Sequence, residues 1–340
     1  MERSLAIWAT PEQAPLLAAL ASELDATIAA AASPVRAHGT PLASSLDTEF
    51  AGDARDLIIV GAKCVLLATA CDGYGAALPQ AVSRAASEGH AIASLTPLPM
   101  PPTDAAGPWH APLRGRVPID AVRFGPLLRR GSAAEDAEET LMAFGEIRSA
   151  MFAGFRDPTM AGEGATGALL VDALDLLVGV LGEAERVEAA LTGPPGTGKP
   201  PADMNLGALT GALTAHARFE GGASAVIMLS DRAGGWGRRA TLLGEAGRLE
   251  LGDDGHRWID PTGKTVDSTE RRERGRRAVD RSDQAPLAAI DALVAFLAPL
   301  LDGRATPPLD TQHLGPMASA VMLSTRTGQA ESPTTLRAMV

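Results

Sequence analysis

Two aspartates, Asp172 and Asp175, are the side chains whose types and spacing most directly suggest chemistry. The apolar segment around them, Ala168 to Leu181, predicts a buried helix, and residues at i and i+3 lie on one face of a helix. Such carboxylates could share a proton or a cation. No further histidine or cysteine converges on them, so we expect a structural role. In that role Asp175 accepts hydrogen bonds from backbone at a domain junction, and Asp172 faces a cleft without reacting.

A second stretch with chemical content, Gly193 to Lys199, matches the phosphate-binding pattern Gly-x-x-x-x-Gly-Lys. In a working loop of this type, a Ser or Thr follows the lysine to bind Mg²⁺, and a helix then directs its N-terminus at the phosphates. Pro200 and Pro201 follow instead. The stretch therefore predicts a Gly/Pro-rich loop and not an ATP site.

Metal and redox chemistry have no support in the sequence. The six histidines are scattered without the spacing of metal ligands, so we expect no metal site. Cys64 and Cys71 are seven residues apart, which fits neither a zinc pair nor a redox pair. We interpret both as small core residues in a reducing compartment.

The charge balance limits the possible partners. The 30 basic and 41 acidic residues give a net charge of −11, which argues against binding of nucleic acid or an anionic membrane. The basic stretch Glu270 to Arg281 is interleaved with acidic residues and predicts a solvated helix or loop without a function. No stretch reaches the roughly 20 apolar residues of a membrane span, and the N-terminus does not resemble a signal peptide. We expect a cytoplasmic protein.

The elements that would position these residues fall into two groups. In the first part of the chain apolar strands alternate with helices, which predicts a parallel sheet covered by helices. The predicted strands are Leu5 to Trp8, Thr27 to Ala32, Leu57 to Val60, Val65 to Thr69 and Ala91 to Leu95, and the predicted helices are Pro11 to Leu24 and Ala76 to Ser87.

A Pro/Gly/Ala-rich stretch, Pro97 to Pro118, marks a linker, so we place a domain boundary near residue 120 and expect domains at 1–120 and 121–340. In the second part, strand-like runs joined by Gly-rich turns indicate a mostly antiparallel sheet, the α+β pattern. Helices in 285–325 close the chain. The predicted strands are Ile147 to Phe155, Val187 to Leu191, Ala212 to Phe219, Ala223 to Leu229, Ala240 to Leu243 and Arg248 to Leu251.

Several motifs, in order along most of the chain, resemble the Gfo/Idh/MocA family of NAD(P)-dependent sugar oxidoreductases. The segments that carry the resemblance are Val65 to Ala70, Glu88 to Leu98, Gly145 to Ser149, Gly167 to Gly182, Val187 to Ala189, Phe219 to Ala223 and Gly244 to Leu249. The resemblance implies a Rossmann-like NAD(P)-binding-type domain followed by an α+β domain with a large open sheet. It also implies a sugar-sized site between the two domains.

The dinucleotide-binding positions depart from that family. A pyrophosphate needs glycines after the first strand, so that backbone N–H groups can approach it closely. This chain has Trp8, Ala9, Thr10, Pro11, Glu12 and Gln13 there. Pro11 removes one donor, and Glu12 adds negative charge. The stretch from Ala29 to Ser33 offers no acidic or basic residue to bind the ribose, and Thr69 is the remaining cofactor-equivalent position.

The resemblance also locates the catalytic positions. Thr96 stands where the family has its catalytic lysine, and a hydroxyl cannot replace that cation. In the family a helix carries Asp-x-Gly-x-His-x-x-Asp, whose histidine relays the substrate proton. When the motif is aligned on Asp175, this chain has Ala168, Leu170 and Asp172 where the family has the first Asp, the Gly and the His. Tyr74 falls where the family often has a histidine, and it either stacks on a sugar or packs at a helix start.

These losses occur together, so our leading prediction is a family homologue that lacks NAD(P) binding and hydride transfer. It would bind a sugar-like ligand or act as a partner subunit, in a homo- or hetero-oligomer formed through the open sheet. The alternative is an active NAD(P)-dependent sugar oxidoreductase with an atypical cofactor loop and Asp172 or Asp175 as acid/base. A third possibility is another reaction on a sugar, which would require both carboxylates to face an open cleft.

Overall fold

A six-stranded parallel sheet forms the first layer of the protein, whose computed structural model describes residues 3–69, 84–96, 122–156, 165–193, 206–270 and 287–338. The strand order is β3-β2-β1-β4-β5-β6, so the chain reverses direction across the sheet between β1 and β4. The strands are β1 (Arg3–Trp8), β2 (Ala26–Ala32), β3 (Glu49–Phe50), β4 (Cys64–Leu67), β5 (Ala91–Ser94) and β6 (Val122–Phe124).

Helices cover both faces of this sheet, as the alternation of strands and helices predicts. In β1, Leu5 and Ile7 are buried in one apolar cluster while Ala6 and Trp8 are buried in another. The first cluster includes α1 (Ala14–Glu23) and α2 (Arg36–Ser45), and the second includes α3 (Ala54–Ile59). Because the last four residues of β1, Leu5 to Trp8, are buried on both faces, they form a continuous apolar run.

One predicted strand is wrong: Leu57 to Val60 belongs largely to α3. The Asp53 side chain caps this helix by accepting hydrogen bonds from the backbone N–H groups of Arg55 and Asp56. Leu57 is buried whereas Ile59 is 64% exposed, which is the one-sided burial of a helix. A four-residue apolar run does not distinguish a strand from a helix. The sequence signal for the helix was Asp53, a preferred N-cap residue.

An eight-stranded sheet forms the second layer, in the order β14-β13-β12-β11-β7-β10-β9-β8. Only β7 and β10 pair in parallel in this sheet, so it is mostly antiparallel, as predicted. Its strands are β7 (Ile147–Phe155), β8 (Ala184–Thr192), β9 (Ala212–Phe219), β10 (Ser224–Ser230), β11 (Gly237–Gly244), β12 (Gly247–Gly252), β13 (Gly255–Ile259) and β14 (Thr265–Glu270).

The remaining helices are α4 (Ser132–Asp136), α5 (Glu138–Phe144), α6 (Ala165–Leu181), α7 (Leu287–Leu301), α8 (Thr311–Thr327) and α9 (Pro333–Ala338). The helix α6 packs on β7, β10 and α8, and all its residues from Ala165 to Leu177 are buried. The helix α7 instead contacts α1 and β5, where Leu293 and Leu297 join the cluster of Leu5 and Ile7. The chain therefore returns to the first sheet near its end. The boundary near residue 120 lies outside the described residues and stays a prediction.

Cys64 is fully buried in the first sheet, as its interpretation as a core residue predicts. Burial raises the pKa of its thiol to about 12, so it stays protonated and unreactive at neutral pH. Tyr74, Cys71, the linker and the stretch from Pro194 to Lys199 lie outside the described residues. In the part of the chain that the structure describes, no helix is long and apolar enough to cross a membrane.

Candidate functional site

A cleft opens between the two sheets at the carboxyl ends of their central strands. Ala68 directly follows β4, Leu95 follows β5, and Arg156 follows β7. In open α/β sheets, ligands bind at this edge, near the point where the strand order reverses. The residues that line the described cleft are Leu16, Ala68, Leu95, Pro126, Arg156, Trp236, Ala289 and Leu293.

The turn between β1 and α1 is closed by the side chain of Gln13, which is only 1% exposed. Its Oε1 accepts a hydrogen bond of 3.0 Å from the Thr10 backbone N–H, and its Nε2 donates one of 2.9 Å to the Ala68 carbonyl oxygen. One amide group thus joins the turn to the end of β4. Gln13 was not predicted to have this role, although Thr10-x-x-Gln13 is a capping-box pattern that indicates its bond to Thr10.

This turn does not fit the pyrophosphate of a dinucleotide. Pro11 has no N–H to donate, and the Thr10 N–H is already bonded to Gln13. Hydrogen bonds from its own backbone N–H and from the Thr10 side chain lower the pKa of Glu12, which therefore stays negative. A negative side chain and a proline thus replace the glycines and free N–H groups that two phosphates need.

Asp172 is fully buried and belongs to an ion-pair network with Arg238 and Asp253. Its Oδ1 accepts a 2.6 Å hydrogen bond from the Leu128 backbone N–H, and its Oδ2 accepts one of 2.9 Å from Nη1 of Arg238. The same guanidinium donates hydrogen bonds from Nε and Nη2 to the Asp253 carboxylate. Burial raises the pKa of Asp172, and the nearby Arg238 charge opposes that rise. Asp172 is not among the residues that line the cleft.

Asp175 is paired with two different arginines. Nε and Nη2 of Arg129 donate to its two oxygens at 2.9 and 3.0 Å, and Nη2 of Arg130 lies 3.4 Å from Oδ1. Asp175 therefore accepts from arginine side chains and not from the expected backbone N–H groups. Asp172, which was expected to face a cleft, is buried and accepts from both a backbone N–H and an arginine. Arg129 and Arg130 are 46 and 45 residues from Asp175 in the sequence, a separation that no local pattern reveals.

The other predicted positions are buried and do not line the described cleft. Thr96 is 1% exposed, and its carbonyl oxygen accepts a 2.6 Å hydrogen bond from the Ser94 hydroxyl. Trp8 is fully buried in the cluster that includes α3, so its ring fills the core and not the cleft. The remaining buried positions are Ala9, Thr69 and Ala168. Among the described residues no group of three or more His, Cys, Asp or Glu side chains could hold a metal ion.

The polar groups that do line the cleft, Arg156 and Trp236, were missed from the sequence. Arg156 is 3% exposed, and its Cζ lies 4.6 Å from the centroid of the Trp236 ring, a cation–π distance. The indole Nε1 donates to Asp253 at 3.0 Å, which fixes the ring. Burial, together with repulsion from Arg238, lowers the pKa of Arg156 to about 10, so the side chain stays positive at neutral pH.

Comparison with known proteins bears on the fold. A scan of protein-family models gives no match, and a search of curated proteins by sequence gives none. Solved structures do match over nearly the whole chain. They include a levoglucosan dehydrogenase in complex with NADH and levoglucosan, with 16% identity, a TM-score of 0.64, and coverage of 98% of this chain and 99% of that one.

Two further similar structures are bacterial. An oxidoreductase from Agrobacterium radiobacter, in complex with NAD⁺, L-tartaric acid and magnesium, has 14% identity and a TM-score of 0.65, with coverage of 99% and 100% of the two chains. A myo-inositol dehydrogenase from Corynebacterium glutamicum has 15% identity and a TM-score of 0.61, with coverage of 98% and 99%. The chain therefore has the two-domain fold of NAD-binding oxidoreductases of the Gfo/Idh/MocA type, as the sequence resemblance predicts.

Proposed function

We propose that this protein is a non-catalytic homologue of NAD-binding oxidoreductases, which binds a small, sugar-like molecule in the cleft between its sheets. The observation that carries the proposal is the closed turn, where Gln13 bonds both Thr10 and Ala68. With the Thr10 N–H bonded to Gln13 and no N–H on Pro11, this turn offers a pyrophosphate fewer free N–H groups than a glycine-rich loop does. The ion pairs of Asp172 and Asp175 support the same proposal, since neither carboxylate is available as a base.

An active NAD(P)-dependent oxidoreductase is the second candidate, and the comparisons favour it. Similar structures contain NADH or NAD⁺, and the match extends over both domains. This candidate requires other backbone N–H groups to bind the phosphates. It also requires Asp172 or Asp175 to leave its arginine, or another base to replace them.

Turnover separates the two candidates. We expect no reduction of NAD⁺ or NADP⁺ when the protein is mixed with levoglucosan, myo-inositol or glucose, while a levoglucosan dehydrogenase reacts in the same assay. The Asp172→Asn and Asp175→Asn variants should give the same zero rate. Turnover that either substitution abolishes would establish the second candidate, with that aspartate as its acid/base.

The open face of the second sheet is the proposed surface for a second copy of this chain. Met151 and Val226 are direct partners across β7 and β10, and Met228 and Leu243 lie on the same face. All four are between 44% and 46% exposed, whereas the opposite face packs on α6. An apolar patch at the centre of a sheet is typical of a subunit interface.

Light scattering after gel filtration tests this interface. Val226→Glu places a charge in the patch and should convert a dimer to a monomer, because an unpaired charge disfavours a buried interface. Val35→Glu is the matched control: Val35 is 51% exposed and precedes α2 in the other layer. A wild-type monomer, or a dimer that only the control disrupts, would contradict the proposal.

A further inference from the structure

We propose that Arg156 binds the carboxylate of an acidic ligand, so that the cleft takes a sugar acid or another small hydroxy acid in preference to a neutral sugar. The inference names a ligand class for the cleft assigned under the proposed function, and it rests on that assignment of the cleft as a binding site. It does not depend on whether a dinucleotide binds.

The observation behind it is a pair of buried donors. Nε and Nη2 of Arg156 have no hydrogen-bond partner among the described residues, although the side chain is 3% exposed. Its Nη1 reaches only the Leu95 carbonyl oxygen, at 3.5 Å. Buried charged donors without partners are destabilising, so a native protein that keeps them has a reason outside its own fold.

These two atoms lie on one edge of the guanidinium, the edge that grips a carboxylate through two parallel hydrogen bonds. The same molecule uses this edge twice elsewhere. Nε and Nη2 of Arg129 bind Oδ2 and Oδ1 of Asp175 at 2.9 and 3.0 Å, and Nε and Nη2 of Arg238 bind Oδ2 and Oδ1 of Asp253 at 3.3 and 2.6 Å. Arg156 presents the same edge with no described carboxylate against it.

The surroundings of Arg156 favour a bound anion. Leu16, Leu95 and Leu293 line the cleft with apolar surface, and an ion pair is stronger where water is excluded. The stacked Trp236 ring holds the guanidinium in place, which lowers the entropy that binding must remove.

The competing explanation is internal charge balance. Arg238 is one positive charge between two aspartates, Asp172 and Asp253, and Arg156 supplies the second positive charge nearby. A counter-charge stabilises the two aspartates through its positive charge at a distance, so this role does not require Nε and Nη2 of Arg156 to be free. The two roles differ in what happens when the edge is removed but the positive charge is kept, as in Arg156→Lys.

Calorimetry with matched acid and neutral probes tests the proposal. D-Gluconate is compared with D-glucitol, and D-glucuronate with D-glucose, at constant ionic strength, with inorganic phosphate as a further anion. We expect the two acids to bind and their neutral partners not to. Arg156→Lys should weaken acid binding by about tenfold or more, since lysine cannot form the paired hydrogen bonds. Arg129→Lys, which changes a similar pair outside the cleft lining, should leave the affinity unchanged.

Thermal unfolding without ligand provides the second readout. Arg156→Met should unfold at the wild-type temperature or above it, because it removes a desolvated charge, whereas a structural counter-charge would lower that temperature. The proposal is overturned if acids and neutral sugars bind alike, if neither acid binds at tens of millimolar, or if Arg156→Lys keeps wild-type affinity. It is also overturned if phosphate binds more tightly than the acids. Dinucleotide binding would instead overturn only the proposed function.

Discussion

Replacing Arg238 by methionine should lower the free energy of unfolding by about 3–5 kcal/mol, the usual effect of removing one partner from a buried ion pair. The Arg238 side chain is 2% exposed and lies between two carboxylates, Asp172, which is 0% exposed, and Asp253, which is 10% exposed. It also donates to the Pro126 carbonyl oxygen at 2.7 Å. Without it two negative charges remain in the interior. Urea unfolding measures the loss.

The loss should grow with pH. In the variant, the pKa of Asp172, which burial already raises, is no longer held down by the Arg238 charge. A carboxyl whose folded-state pKa lies above its unfolded value stabilises the fold at low pH and loses that contribution as pH rises through the folded pKa. The deficit relative to wild type should therefore be larger at about pH 8 than at about pH 5.

Arg148→Met is the control for this variant. Arg148 pairs with Glu146 and Glu245, but its side chain is 60% exposed, so its loss should change stability by less than about 1 kcal/mol. If both variants lose the same stability, or if the Arg238→Met deficit does not depend on pH, the network does not have the role assigned to it.

Replacing Gln13 by alanine should lower the free energy of unfolding by about 2–3 kcal/mol, because the buried Ala68 carbonyl loses its side-chain donor and Thr10 loses its acceptor. Gln13→Glu has nearly the same shape and separates packing from hydrogen bonding. A buried carboxyl donates to Ala68 only when it is protonated, so its folded-state pKa should be raised. That variant should be close to wild type below about pH 4.3 and should lose stability as pH rises.

The Thr10→Ala variant is a useful comparison, because the backbone N–H that bonds Gln13 is retained. It should lose less stability than Gln13→Ala. A Gln13→Glu protein that is as stable as wild type at neutral pH would mean that Gln13 does not close the turn in solution.

Periodicity predicted the elements that repeat over enough residues. The bounds of β7 and β9 match the predicted strands Ile147 to Phe155 and Ala212 to Phe219, because buried and exposed side chains alternate along both. The helix α6 was equally clear, since an apolar run of that length can only be a buried helix or a membrane segment. The short strands β3 and β13 were missed because so few residues cannot show a period. The helix α2 is as long as α1, but it was missed because it has few large apolar residues and contains Pro41.

The candidate site depends on contacts that no local pattern carries. Arg238 is 66 residues from Asp172 in the sequence, and Arg156 is 61 residues from Leu95. Sequence resemblance directed attention to positions that are ion-paired or buried, such as Asp175 and Thr96. The charged group that faces the cleft, Arg156, follows the end of a correctly predicted strand, so its position at a strand's carboxyl end was the only signal available.

The most direct test of the account is a calorimetric titration of the purified protein with NAD⁺, NADH, NADP⁺ and NADPH. The closed turn between Thr10 and Gln13 predicts no binding of any of the four at millimolar concentration. Binding with a micromolar Kd would contradict the account and would make the protein an NAD(P)-linked oxidoreductase homologue with an atypical cofactor loop.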